Sequence, residues 1–216
     1  LVTGNELCSP GSPLGYGQVY EANSFALKAA LAEVGIKPAF TGMAGDDPKV
    51  LQALLGKALQ LSDIVLMTGG VSVGDYDFTT AAFDQCGVNK IFHKIKQKPG
   101  KPMLFGIKGN QLVFGLPGNP ASVLTCYYQY VLPAVRLLSG NNGQIPATTA
   151  ALTHPFAKPE GLTYFLKAFY QNGRVTLLTG QESYKLNSFA QANCLAEIKA
   201  ADTALPAGTP VNVFLL

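Results

Sequence analysis

The 216-residue sequence predicts an α/β protein in which a three-layer domain with a mostly parallel sheet precedes a small all-β barrel or sandwich. Two patterns support this fold class. Helix and strand signals alternate through the first two thirds of the chain, and short β-like runs separated by turn residues fill the remainder. Glycines and asparagines at 140–143, followed by Pro146, are typical of a linker, so we place the two domains at 1–143 and 144–216.

Four helices are predicted in the first domain, each from a signal at one of its ends. Asn23 or Ser24 can cap the first helix with a side-chain oxygen. Asp46-Asp47-Pro48 predicts the start of the second, because acids accept hydrogen bonds from free N–H groups and proline has no N–H to leave unpaired. A glycine follows each of the other three. The predicted helices cover about residues 25–34, 48–61, 78–86 and 121–138.

Strands are predicted from short apolar or β-branched runs bounded by turn residues. Leu1-Val2-Thr3-Gly4 is typical of a strand that ends in a loop, and we expect more of the protein to precede it. Asn172-Gly173 lies between two β-like runs and predicts a hairpin turn. The other strands are predicted at about 39–43, 63–68, 90–96, 102–106, 111–114, 148–152, 164–170, 175–178, 195–198 and 211–215.

The charge distribution favours an anionic small molecule as ligand. The formal net charge is +3, and six of the sixteen Lys and Arg residues lie within residues 90–108. The rest of the chain is not basic and carries no signature of an RNA- or DNA-binding module, so we expect no nucleic-acid partner. With 48% hydrophobic and 13% charged residues, the chain has the composition of a globular protein rather than a disordered one.

Cysteine and histidine usage excludes a zinc site of known spacing. The four cysteines and two histidines are widely separated along the chain. Scattered thiols are typical of a reducing compartment, so we expect a cytoplasmic protein. No apolar run approaches the roughly 20 residues that span a bilayer, and we expect no membrane partner.

A glycine-rich loop over residues 69–77 carries the strongest local signal for ligand binding. Its glycines let backbone N–H groups approach an anion, and Asp75 and Asp77 lie at the mouth of the same loop. Phosphate held together with a divalent cation would explain both features, because acids alone repel phosphate. An ordinary glycine-rich connection after a strand is the alternative.

Three further loops follow predicted strands at 3–7, 42–47 and 115–122. Open α/β sheets bind ligands at the carboxyl ends of their strands, so Glu6, Asp46 and Asp77 are expected to converge on one cleft. Each acid also has a simpler interpretation. Glu6 can be a solvated loop acid, Asp46 or Asp47 can cap the following helix, and Asp77 can cap the next one.

Two proline-stiffened segments can supply positive charge and hydrogen-bond donors. Lys98-Pro99-Gly100-Lys101-Pro102 presents two cations with little conformational freedom to lose, although a solvated basic loop is the alternative. Pro117-Gly118-Asn119-Pro120 opens the long helix, whose free N–H groups and Ser122 hydroxyl can hold an oxyanion. Helix capping alone is the alternative there.

Five motifs, in this order, together resemble one family. They are Thr3-Gly4-Asn5-Glu6-Leu7, Asp46-Asp47-Pro48, the segment from Gly69 to Asp77, Lys98-Pro99-Gly100-Lys101-Pro102, and the segment from Gly115 to Ser122. The chain is similar to the molybdopterin molybdenumtransferases, the group of MoeA and the gephyrin E domain. Gln181-Glu182-Ser183 and Ala192-Asn193 resemble the small β domain of that family. The resemblance covers essentially the whole chain and implies a molybdopterin-binding, MogA-like α/β domain followed by this β domain.

The resemblance implies the last step of molybdenum cofactor assembly, in which molybdate is inserted into adenylylated molybdopterin and AMP is released with the help of Mg²⁺. It implies catalytic roles for Glu6, Asp46, Asp77, Lys98 and Lys101, with the three acids also handling the metal. Ser122 and the two lysines match molybdate-binding positions. Substrate binding is implied for Thr3, Gly4, Gly69, Gly70, Ser72, Gly74, Asp75, Pro117, Gly118, Asn119, Pro120 and Ser122.

Two departures from the family pattern matter. Leu162 stands where a molybdate-contacting arginine is expected, and Lys167 replaces another arginine. The family's N-terminal domains, which form a homodimer that completes the site, are not in this sequence, so we expect these residues alone to be poorly active. A molybdopterin adenylyltransferase is implied as a partner.

Two other functions remain open. The chain can itself be an adenylyltransferase, although its β-rich last third argues against that, or a diverged molybdopterin-binding or scaffold module without turnover.

Overall fold

The computed structural model describes residues 1–71 and 78–216. Four predicted site residues, Ser72, Gly74, Asp75 and Asp77, lie outside the described residues. The helices are α1 Asn23–Glu33, α2 Pro48–Leu61, α3 Phe78–Gln85, α4 Pro120–Cys126 and α5 Leu132–Leu138, with a π-helical turn at Tyr127–Val131 and a 3₁₀ turn at Asn187–Gln191. The strands are β1 Val2–Thr3, β2 Leu7–Cys8, β3 Val19–Tyr20, β4 Met43–Ala44, β5 Ile64–Thr68, β6 Asn89–His93, β7 Gln97–Lys98, β8 Leu104–Lys108, β9 Gln111–Leu116, β10 Ala147–Leu152, β11 Phe156–Ala157, β12 Thr163–Gln171, β13 Arg174–Leu177, β14 Cys194–Ile198, β15 Ala204–Leu205 and β16 Pro210–Leu215.

The described residues divide by their contacts into two compact units. Unit 1 comprises Leu1–Ile95 and Pro102–Leu124, and unit 2 comprises Lys96–Lys101 and Thr125–Leu216. The segment Lys96–Lys101 thus belongs by contacts to the unit that follows it in sequence. The domain boundary between residues 143 and 144 stays a prediction, because a compact unit is not a test of where a domain folds independently.

Unit 1 contains the mixed sheet β4-β1-β5-β9-β8-β6. The strands β4, β1, β5 and β9 are mutually parallel, and β8 is antiparallel to both of its neighbours. Leu51 and Leu55 of α2 and Phe83 of α3 pack in one buried cluster with Val113 of β9. Phe114, which alternates to the opposite face of β9, is also buried, so both faces of the sheet are covered. The predicted three-layer α/β class is confirmed.

Two expectations about unit 1 were wrong. The strand predicted at 39–43 is observed only as β4, Met43–Ala44, which pairs with Val2 and Thr3 of β1. Neither Asn23 nor Ser24 caps α1, since both lie inside the helix. The carboxylate of Glu21 takes that role and accepts a hydrogen bond from the Ser24 backbone N–H at 2.7 Å.

Unit 2 is a closed barrel. Its strands follow the order β13-β10-β16-β14-β12, and β13 also pairs with β12, which closes the ring. This decides between the predicted barrel and sandwich. A sixth strand, β7, pairs in parallel with the start of β12, which places Lys98 opposite Tyr164. The side chains of Leu166, Ala168 and other alternating residues fill the buried centre.

Local turn chemistry was predicted correctly in unit 2. The Asn172-Gly173 turn joins β12 and β13, and both residues have positive φ, 49° and 75°, as a type I′ hairpin requires. The two-residue strands β2, β3, β7, β11 and β15 were not predicted, because so short a segment shows no periodicity. Across the ranges that the structure describes, no helix is both long enough and apolar enough to cross a membrane.

Candidate functional site

The loops that follow β1 and β4 in unit 1 are joined to each other by hydrogen bonds. The Asp46 N–H donates to Asn5 Oδ1 at 2.9 Å, and the Asn5 N–H donates to Asp46 Oδ2 at 3.4 Å. Thr3 is buried, and its hydroxyl donates to the Gly45 carbonyl at 3.3 Å. The loops that carry Glu6 and Asp46 are therefore neighbours, and the convergence of Glu6, Asp46 and Asp77 on one cleft stays a prediction.

The acids at this edge differ in how they are held. Asp47 caps α2, since its Oδ1 accepts hydrogen bonds from the N–H groups of Lys49 and Val50 at 2.9 and 3.2 Å. Asp46 is not the cap and contacts Asn5 instead. The Glu6 carboxylate folds back over Gly4, where a Cβ would stand 2.6 Å from Glu6 Oε2. Gly4 therefore makes room for that carboxylate.

The start of the glycine-rich loop is packed closely against the end of β1. A Cβ on Gly69 would lie 2.1 Å from the Thr3 carbonyl oxygen, and one on Gly70 would lie 2.6 Å from Thr79 Oγ1. Both glycines have positive φ, 88° and 65°. The Thr79 hydroxyl donates to the Gly69 carbonyl at 3.1 Å and so connects α3 to the loop. Packing alone thus requires glycine at both positions, whatever they bind.

The loop after β9 reaches the same edge of the sheet. Gly118 and Asn119 are exposed, Pro117 is buried, and Pro120 begins α4. A Cβ on Gly118 would lie 3.8 Å from the Gly69 Cα, so the β5 and β9 loops are neighbours. Ser122 is only 3% exposed, and the exposed residues of this loop are Gly118 and Asn119.

Asn23 holds these two loops together and was missed as a functional candidate. Its side chain is 5% exposed, and Nδ2 donates to the Gly118 carbonyl at 2.8 Å and lies 3.5 Å from Thr68 Oγ1. Asn23, Leu27 and Leu31 are spaced as one face of α1, and all three are buried. A polar residue at an apolar position of that stripe was the signal that could have revealed it.

Within the described residues no group of three or more His, Cys, Asp and Glu side chains could hold a metal ion. Two of the three predicted metal ligands, Glu6 and Asp46, lie within the described residues, and the third, Asp77, lies outside them.

The predicted lysines lie in unit 2, at the end of the barrel where β7 meets β12. Both Lys98 and Lys101 are exposed. The Lys98 Nζ stands 5.2 Å from the ring centroid of Tyr164, and the Nζ of Lys158 stands at the same distance from that ring. The two ammonium groups are thus separated by at most twice that distance. No motif in the sequence pointed to Lys158.

Lys158 is a buried cation without a carboxylate partner among the described residues. Its side chain is 7% exposed, and Nζ donates to the carbonyls of Ala200 and Pro159 at 3.2 and 3.4 Å. The described ion pairs, Lys90–Asp84 and Lys185–Glu182, involve neither Lys158 nor Lys98. Within the described part of the chain, neither of the two positive charges around Tyr164 forms an ion pair, which favours an anion there.

Lys167, which replaces an arginine expected from the family pattern, is bound within unit 2. It is 2% exposed, and Nζ donates to the carbonyls of Gly180 and Lys185 at 2.7 and 3.0 Å. The Gln181 side chain bonds both the N–H and the carbonyl of Lys167. Burial lowers the pKa of this lysine. Its described contacts hold the loop around 180–185, and Leu162 is half-buried.

Comparison with known proteins agrees with the motif order. The sequence profile of the family described as "Probable molybdopterin binding domain" matches residues 1–137, and that of "MoeA C-terminal region (domain IV)" matches residues 149–216.

Curated relatives named molybdopterin molybdenumtransferase include proteins from two bacteria. The protein from Haemophilus influenzae is 34% identical over 99% of this chain and 54% of its own length, and that from Bacillus subtilis is 30% identical over 100% and 51%. The crystal structure of a molybdopterin biosynthesis MoeA protein from Pyrococcus horikoshii superimposes with a TM-score of 0.84 and 33% identity, covering 99% of this chain and 52% of that one. The chain spans about half the length of the relatives it matches.

Proposed function

The chain belongs to the molybdopterin molybdenumtransferase family, and from that premise we propose that the whole protein inserts molybdate into adenylylated molybdopterin and releases AMP. One observation carries the proposal for this chain. At one edge of the sheet of unit 1, the two loops that carry Glu6 and Asp46 are joined to each other by hydrogen bonds, and the glycines that begin the loop after β5 pack against the end of β1 beside them. This arrangement can hold a phosphate-containing substrate beside acids.

We assign binding of the adenylylated substrate to the strand-end loops. Gly118 and Asn119 are exposed just before α4 and can lie against phosphate oxygens, with the glycine leaving room for close approach. Thr3, Gly4, Gly69 and Gly70 shape the adjoining loops, with Pro117 and Pro120 limiting the conformations of the last one. Ser72, Gly74 and Asp75 are kept in this role on the strength of the family motif.

We propose Glu6 and Asp46 as magnesium ligands, with Asp77 from the family motif. The described residues fit this ion, because magnesium in such sites takes one or two carboxylates together with substrate phosphate oxygens rather than a cage of protein ligands. When bound, the ion would neutralise phosphate charge and stabilise the departing AMP. The carboxylates themselves can also accept a proton from an attacking water.

Molybdate, as substrate, is assigned to Lys98 and Lys101, with Ser122 from the family motif. A dianion needs compensating charge wherever it loses water, and Lys98 lies beside Tyr164 together with Lys158, where the described residues form no ion pair. Lys158 adds a second positive charge there. This charge supports binding of the anion, although Leu162 carries no charge at the expected arginine position.

Three further features of the whole protein are proposals of the same kind. We propose a homodimer completed by the part of the protein outside this sequence, an adenylyltransferase that supplies the substrate, and a cytoplasmic location, which the four free cysteines support.

The function is tested by AMP release from adenylylated molybdopterin and magnesium, with and without molybdate, in the full-length protein. Asp46→Asn should abolish molybdate-dependent release because it removes a carboxylate charge. The neighbouring Asp47→Asn is the matched control, since asparagine caps a helix as well as aspartate and release should stay unchanged. Binding without release in the wild type would favour the diverged binding module, and pyrophosphate release from ATP and molybdopterin would favour the adenylyltransferase.

A further inference from the structure

The segment that carries Lys98 and Lys101 is anchored in unit 2 by a buried amide. Gln97, at the start of β7, is 2% exposed, and its Nε2 donates to the carbonyl of Pro99 at 2.8 Å. The Tyr130 hydroxyl donates to Gln97 Oε1. Both ends of the amide are therefore occupied, one by the lysine segment itself and the other by the helical stretch that precedes the barrel.

Tyr130 belongs to the π-helical turn Tyr127–Val131, which interrupts an otherwise α-helical stretch. Such turns cost helix stability and are found often where a side chain must be placed for function. Burial raises the pKa of Tyr130 to about 12, with further contributions from Cys126 and Glu197. Its hydroxyl therefore keeps its proton and stays a donor throughout the physiological pH range.

Cys126, which lies one turn before Tyr130 in the same helical stretch, contacts the other side of the segment. Cys126 is fully buried, its Sγ lies 3.9 Å from Gln97 Nε2, and a Cβ on Gly100 would stand 2.6 Å from that sulfur. The start of the segment is fixed by the pairing of Lys98 with Tyr164 in β12. Strand pairing, the Gln97 amide and the Gly100 contact together leave the segment little freedom.

We propose that Gln97 and Tyr130 are positioning residues for oxyanion binding, which hold the backbone of residues 98–101 so that Lys98 and Lys101 present their charges in a fixed geometry. Neither residue touches the anion. The proposal rests on the proposed function in its choice of anion, a tetrahedral metal oxyanion such as molybdate. A preorganised pair of cations binds more tightly than a mobile pair, because the ordering entropy is already lost.

The test uses the full-length protein with sodium molybdate as the probe, titrated calorimetrically. Gln97→Leu removes the amide's hydrogen bonds to Pro99, Cys126 and Tyr130, and Tyr130→Phe removes a single hydroxyl. Each should raise the Kd for molybdate about tenfold. Because the two residues act through one hydrogen bond, the double variant should lose little more than the more affected single variant. In turnover, KM for molybdate should rise with kcat unchanged, and the Kd for adenylylated molybdopterin should not move.

A control variant and the salt dependence of binding make the outcome decisive. Lys98→Met should weaken binding and reduce its dependence on salt, whereas Gln97→Leu and Tyr130→Phe should keep the salt dependence of the wild type, because both charges remain. Tyr130→Phe, which deletes one oxygen, keeps the test valid if Gln97→Leu fails to fold. Folded variants with unchanged Kd would overturn the proposal, as would losses that add fully in the double variant. Molybdate binding without AMP release would refute the proposed function and leave this comparison intact.

Discussion

At the scale of single residues, glycine at position 69 is required by the approach of another strand. Its φ of 88° is one that residues with a Cβ rarely adopt, and the Thr3 carbonyl oxygen occupies the place where a Cβ would be. A glycine-rich motif is usually interpreted as a ligand cradle. Here the backbone packing by itself explains why position 69 is a glycine. Loss of stability and loss of ligand binding in a variant must therefore be measured separately.

We expect Gly69→Ala to lower the free energy of unfolding by about 3 kcal/mol, the sum of an unfavourable φ and a steric clash with backbone. Gly35→Ala is the matched control. Gly35 has a similar φ of 74°, and no atom lies within 4 Å of the place where its Cβ would stand, so this change should cost only about 1 kcal/mol. Urea denaturation of both variants measures the difference. Equal losses would show that the Thr3 contact is relaxed at no cost.

At the scale of elements, strand β12 and the loop around 180–185 are held together by one ammonium group. Lys167 donates to two loop carbonyls, and Gln181 bonds back to its backbone. Ser188 Oγ donates to the same two carbonyls at 2.9 and 3.2 Å. This network uses a lysine where family resemblance suggested an anion contact, and it makes the loop a part of unit 2.

Lys167→Met should destabilise the protein by about 1–3 kcal/mol, because buried carbonyls lose a charged donor, while Ser188 preserves some of the hydrogen bonding. It should leave the Kd for molybdate unchanged. A clear rise in that Kd in a folded variant would mean that the lysine contacts the anion after all. Lys185→Met, which removes an exposed ion pair, is the control and should cost far less.

The same lysine predicts a pH dependence. Burial lowers its pKa in the folded state, so at pH values just below 10.5 the unfolded chain binds more protons than the folded one. The stability of the wild type relative to Lys167→Met should therefore rise with pH as that range is approached. Denaturation of both proteins at several alkaline pH values measures this trend, and parallel curves would show that the ammonium is not desolvated.

At the scale of the whole molecule, the chain matches about half of the length of its relatives. Since we propose that a dimer formed by the remaining part completes the site, residues 1–216 alone should release AMP about a hundredfold more slowly than the full-length protein, the loss expected when positioning groups are missing. Both proteins are compared at equal concentration, with gel filtration to report their oligomeric state. Equal rates would show that these residues contain the complete machinery.

Much of this protein was determined by local sequence signals. The α/β class, the helix start at Asp47-Pro48 and the hairpin at Asn172-Gly173 were predicted correctly, because capping and turn formation depend on residues adjacent in the chain. The order of the strand-end motifs identified the family for the same reason, since each motif is contiguous.

Only the tertiary structure decided which distant residues support those motifs. Asn23 bonds Gly118 across 95 positions, Lys158 bonds Ala200 across 42, and Tyr130 bonds Gln97 across 33. Such partners are chosen by sheet order and by how the barrel closes, and no local pattern encodes them. Only the packing of the whole unit likewise shows that Lys167, which stands at an expected arginine position, is a buried internal donor.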